Sequence, residues 1–150
     1  MITVLRQLLQ KFTGPLKPFV FLVVRILVGY AFFRAGWEKL MEYDLYVGRF
    51  VNMGIPVPEV NVVVVGVFES LVGLAVMAGL ATRLASAIGI VIMLVAILSV
   101  HLPEMKQLFS DPAVVVSANP MPYVLVFAIL AVTGPGKLSV DKAIGLEGDD

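Results

Sequence analysis

Arg25, Arg34, Lys39, Asn61, Glu69 and His101 stand in or beside runs that are otherwise hydrocarbon. Arg25 interrupts "LVVRILVGYAFF", Glu69 interrupts "VVVVGVFESLVGLAV", and His101 closes "GIVIMLVAILSV". A charge in such a run costs several kcal/mol in lipid unless it is paired or lines a polar cavity, so intramembrane ionisable residues are read first as functional. Glu69 and His101 have the chemistry to move protons: a carboxylate in an apolar setting, and an imidazole whose ordinary pKa is about 6.5. Arg25, Arg34, Lys39 and Asn61 have the chemistry to hold the polar part of a ligand. A plainer reading stands beside this one. Arg25 with Glu69 could be an ion pair that only sets helix register, and His101 an interfacial histidine near a helix end.

The rest of the composition narrows the options. The 150 residues are 59% hydrophobic and 15% charged, where an ordinary globular chain carries about a quarter charged residues. Mean hydropathy is +0.97. Net charge is zero, so nothing points to nucleic acid. There is no cysteine, which excludes disulfides, thiol exchange, iron–sulfur ligation and thiolate metal sites. With one histidine, neither a bis-histidine haem nor a histidine-rich metal site can be built in one chain, and no metal is expected.

The elements that must position these residues are membrane helices. About 20 apolar residues cross a bilayer, and the sequence offers spans near residues 18–37, 60–80, 84–101 and 121–133. The expected fold is a single all-α membrane domain over residues 1–150, a polytopic four-helix bundle. "GLATR" joins the second and third spans in a tight hairpin. Residues 1–17 look amphipathic and basic, suiting a surface helix. The stretch after the first span reads as an interfacial helix ended by "IPVPE". The stretch between the third and fourth spans is expected to pack on the bundle's mouth, and residues 143–150 to be a loose acidic tail. Arg6, Lys11, Lys17, Arg83, Lys137 and Lys142 share one side with both termini. That bias places the termini in the cytoplasm and makes Arg83 a positive-inside anchor.

Spacing suggests which faces meet. Gly29 and Gly36 are seven apart, as are Gly66 and Gly73, the close-packing stripe of left-handed helix crossings. Arg25 shares the first stripe and Glu69 the second, at three- and four-residue steps. By rise per residue, Arg25 lies about 10 Å and Glu69 about 16 Å from the inner end, so their pairing is expected. Gly79 reads as the end of the second span. Arg34, Lys39, Asn61, His101 and Asn119 are expected to gather at the outer end.

The order "RILVGYAFFRAGWEKL", "IPVP", "FESLVGLAVMAGLATRLAS", a histidine closing the third span, then "GPGKLSVD" resembles the DoxX family of small four-helix membrane proteins of bacteria and archaea. The likeness covers roughly residues 20 to 142 and includes Arg25, Gly29, Gly36, Lys39, Glu69, Gly73, Gly79, Arg83 and Asp141. It departs at "KLSVD", where the family more often has an aromatic before the serine and a leucine after it. The resemblance implies redox work beside the quinone pool. Members include the membrane subunit of thiosulfate:quinone oxidoreductase, and others associate with superoxide dismutase and a sulfurtransferase. On this reading the partners are membrane lipid, a quinone, a soluble redox protein and, through the glycine stripes, a second copy. No covalently bound cofactor is expected. The alternatives are a non-catalytic anchor or assembly protein for soluble redox partners, and a small-molecule binder or carrier.

Overall fold

The computed structural model describes residues 2–146, with side chains from residue 14 onward. The described residues form helices and no strands: α1 (Ile2–Met41), α2 (Tyr43–Asn52), α3 (Pro58–Ala78), α4 (Thr82–Ser99), α5 (Leu102–Met105), α6 (Pro112–Ser117), α7 (Pro120–Thr133) and α8 (Val140–Ala143). By length and composition, three of them can cross a membrane: Gly14–Met41 within α1, α3 and α4. Long apolar side chains such as Leu71, Leu98 and Val132 point outward, a surface that lipid covers and water would not tolerate at this extent. The chain is a polytopic helical membrane protein.

Two expectations change. The fourth span is a helix of 14 residues, about 21 Å long against a hydrocarbon core of about 30 Å. Full-length spans therefore number three, although α7 still completes a four-helix packing by lying along α4. The break expected between a surface helix and the first span is also absent. α1 continues through Pro15 and Pro18, since a helix in lipid has no better partner for its backbone than itself. The amphipathic face expected over the first residues and the acidic tail from residue 147 lie outside the described residues.

The α1–α3 pair is the spine of the fold. A Cβ on Gly73 would sit 2.6 Å from Gly29 O and would meet Phe33 N, and one on Gly36 would sit 2.5 Å from Gly66 O. The two glycine stripes thus meet as expected, and antiparallel, with Gly29 against Gly73 and Gly36 against Gly66. α3 ends at Gly79, whose φ of 69° is the left-handed cap that glycine adopts without a steric penalty. Three residues later, at Thr82, α4 begins. At mid-bundle, Phe32 of α1 meets Phe127 of α7 edge-on at 5.0 Å and Tyr123 at 5.6 Å. Gly89 of α4 makes room for the Phe127 ring. Val72, Val76, Ala85, Met93 and Leu130 fill the remaining core.

Candidate functional site

The polar residues separate into two groups at opposite ends of the bundle. At the α3–α4 turn, Arg25 is 1% exposed. Its Nη1 donates to Pro135 O at 2.6 Å and its Nη2 to Leu138 O at 2.8 Å. The segment that supplies these carbonyls also supplies Asp141. Its Oδ1 accepts from Ala81 N at 2.6 Å and its Oδ2 from Thr82 N at 2.9 Å. Neither Ala81 nor Thr82 offers α4 a capping side chain of its own, so a residue some sixty positions away caps the helix. Asp141 N returns a bond to Gly79 O. Arg83 donates to Ala131 O and Val132 O, two carbonyls that the end of α7 leaves open.

The expected pair of Arg25 with Glu69 does not form. The glycine register shows why. Arg25 lies four residues before Gly29 and so is level with Met77. Glu69 lies four before Gly73 and so is level with Phe33. Eight residues, about 12 Å of helix, separate the two levels. Side chains also lean toward the N-terminus of their own helix, so in antiparallel helices Arg25 and Glu69 lean apart. The same tilt brings Lys39 and Glu69 together. Lys39 Nζ donates to Glu69 Oε2 at 2.6 Å, and the side chains are only 14% and 5% exposed.

This second pair sits in the wall of a cavity of about 420 Å³ at the opposite end. Phe32, Ala35, Val65, Met93, Ala96 and Tyr123 are among its apolar lining, and α2 forms one side through Tyr46, Arg49, Phe50 and Met53. The polar lining is sparse: Lys39, Glu69, Asn61, Ser99, His101, Asn119 and the Tyr46–Arg49 pair. The Tyr46 ring lies between Lys39 Nζ, 5.5 Å from its centroid, and Arg49 Cζ, 4.8 Å away. Asn61 donates through Nδ2 to Pro56 O at 2.6 Å, which fixes the proline turn after α2. His101 Nδ1 lies 3.5 Å from Glu104 Oε1, too far for a hydrogen bond.

The polar mouth expected from the sequence is therefore largely present, with two changes of cast. Glu69 belongs to it and Arg25 does not. Arg34 also falls outside it: the residue is exposed and donates to Glu38 one turn on, at 2.7 Å. Tyr46, Arg49 and Tyr123 read from sequence as membrane-interface residues, yet they line the cavity. For Tyr46 and Arg49 the signal was the charged, aromatic character of the stretch after the first span; the local sequence around Tyr123 gave none. The stretch between α4 and α7 behaves as expected at its ends, where His101 and Asn119 reach the cavity, while Leu108 and Phe109 between them stay exposed.

An apolar cavity with a few converging polar groups is the usual form of a small-molecule site. No cluster of residues suited to a metal occurs among the described residues. The family model for DoxX matches residues 20–102, more than half of the chain. The chain belongs to the DoxX family. The DoxX match takes in α1 from residue 20 onward, α2, α3, α4 and the cavity side chains from Phe32 to His101, whereas Asp141 and α7 lie beyond it. The chain is also similar to "Inner membrane protein YphA" of Escherichia coli (strain K12). Identity is 27% over 130 residues, covering 86% of this chain and 93% of that protein. No solved structure matches it.

Proposed function

We propose that this DoxX protein is the membrane subunit of a redox complex working beside the quinone pool, and that its cavity takes a quinone ring. The observation that carries this reading is the Lys39–Glu69 ion pair, closed at 2.6 Å in the wall of an apolar cavity of about 420 Å³. The volume lies within the range of small-molecule pockets. Its walls suit a flat apolar ring, and the pair offers one donor and one acceptor. A bound quinone would take up electrons and protons on its way to the quinol. The residues do the rest. Lys39 exchanges its bond to Glu69 for one to a ring oxygen, and the carboxylate so released can carry a proton. His101, at the other side of the cavity, can exchange protons with the surface. The chain lacks cysteine, so thiol exchange and electron delivery fall to a soluble partner. The lysine and arginine bias supports a cytoplasmic side for both termini.

Mild extraction from the native membrane, followed by mass spectrometry of proteins and lipids, tests this. Stoichiometric quinone, lost in Glu69→Gln while the protein stays folded, supports the site. A soluble partner with no quinone favours the anchor reading. Normal quinone turnover by folded Glu69→Gln ends the proton-coupling role.

A further inference from the structure

A second hollow, of about 380 Å³, lies on the flank of the bundle between α1 and α7. It belongs to neither polar group. Leu27, Val28 and Ala31 form its α1 side, and Pro122 and Val126 its α7 side. Leu27 is 63% exposed, so the groove opens where lipid lies. Its polar lining, Ser117, Asn119 and Tyr123, comes from the first turn of α7 and the residues just before it. Asn119 and Tyr123 line the Lys39–Glu69 cavity as well. The two spaces are thus neighbours, divided by Tyr123 and Asn119. One is a chamber with an ion pair in its wall. The other is an apolar trough that starts from the chamber's edge and runs toward mid-bundle.

We infer that the groove between α1 and α7 holds the hydrocarbon tail of the ligand whose ring occupies the cavity, with Tyr123 and Asn119 as the partition over which the molecule bends. This rests on the ring-site reading above. It adds that the ligand is a tailed, lipid-soluble quinone entering from the bilayer. A free ring entering from water would have no use for the groove. The argument is one of continuity and sidedness. Beyond Tyr123 this route is apolar, and it is already open to lipid at Leu27. Ala31 and Val126 face the groove and are absent from the cavity lining, so filling the groove leaves the ring's contacts untouched.

The test is isothermal titration of the purified full chain in detergent with two probes, a benzoquinone without a tail and the same ring with a decyl chain. In the wild type, the decyl compound binds at least about tenfold more tightly, since burying even two methylenes is worth that factor. Ala31→Phe abolishes the gain and leaves affinity for the tailless ring within about twofold. Val126→Trp, from the facing wall, does the same and guards against a folding defect peculiar to one variant. Equal binding of the two quinones by wild type overturns the tail route alone. So does a decyl gain that survives both substitutions. If neither quinone binds wild type, the ring site falls and the tail route with it.

Discussion

Each end of this bundle buries a cation, and the two are treated differently. Arg25 at the α3–α4 turn is enclosed by backbone. Its fixed, permanently charged fork is met by Pro135 O and Leu138 O, and it lines neither of the two hollows described above. Lys39 at the other end is held by the Glu69 carboxylate at 2.6 Å and more loosely by Ala35 O at 3.3 Å, beside open volume. Its ammonium is a compact charge on a flexible stem, which can turn to a different acceptor at small cost. The lesson concerns surroundings more than residue type. A buried charge enclosed by carbonyls is positioned as a strut, and one whose carboxylate partner faces a cavity is positioned to meet a ligand.

That contrast can be broken or sharpened by substitution. The largest effect is expected where both ends depend on the same spine. Gly73→Leu drives a side chain into the α1 backbone and should leave no folded protein, read as loss of the monodisperse peak in detergent gel filtration. Arg25→Met should come next. It strands the Pro135 and Leu138 carbonyls and should lower stability by about 3 to 5 kcal/mol. Thermal unfolding in detergent would show the drop, with quinone affinity unchanged in whatever stays folded. Lys39→Met alone should cost about 3 kcal/mol by leaving Glu69 unpaired, whereas Lys39→Met with Glu69→Leu should return close to wild-type stability. The double variant would bind no ligand, so a stable protein with an empty site is the outcome that separates site from strut. Asp141→Ala removes only the cap of α4 and should cost about 1 to 2 kcal/mol. Arg34→Ala, at an exposed pair, should change neither stability nor binding. A clear loss of quinone affinity there would return Arg34 to the mouth.

Much of this was legible in the sequence. The apolar runs gave the spans, and the glycine spacing gave the α1–α3 contact that the structure bears out. The wrong pairing of Arg25 with Glu69 came from comparing depths measured from two span ends. Laying the glycine pairs against each other would have avoided it. Those pairs already imply that Arg25 meets Met77, and the tilt of side chains along a helix already implies that Lys39 and Glu69 lean together. Other features were beyond local pattern. The cap that Asp141 provides spans some sixty residues, and α2 becomes a cavity wall only once α1, α3 and α4 are assembled. The length of α7 was nearly right, but a 14-residue helix falls short of a full crossing, and hydropathy alone does not register that.

The long reach of that cap has a consequence for biosynthesis. A ribosome adding about 5 to 20 residues per second reaches Asp141 on the order of several seconds after it has made Thr82. Through that interval the α3–α4 hairpin can already sit in the bilayer with the first amides of α4 bare and the Arg25 guanidinium without its carbonyl partners. The bundle closes at this end only when the 135–141 segment arrives. A chain released early would be inserted yet left ajar, with an exposed positive charge that a membrane protease or chaperone can recognise.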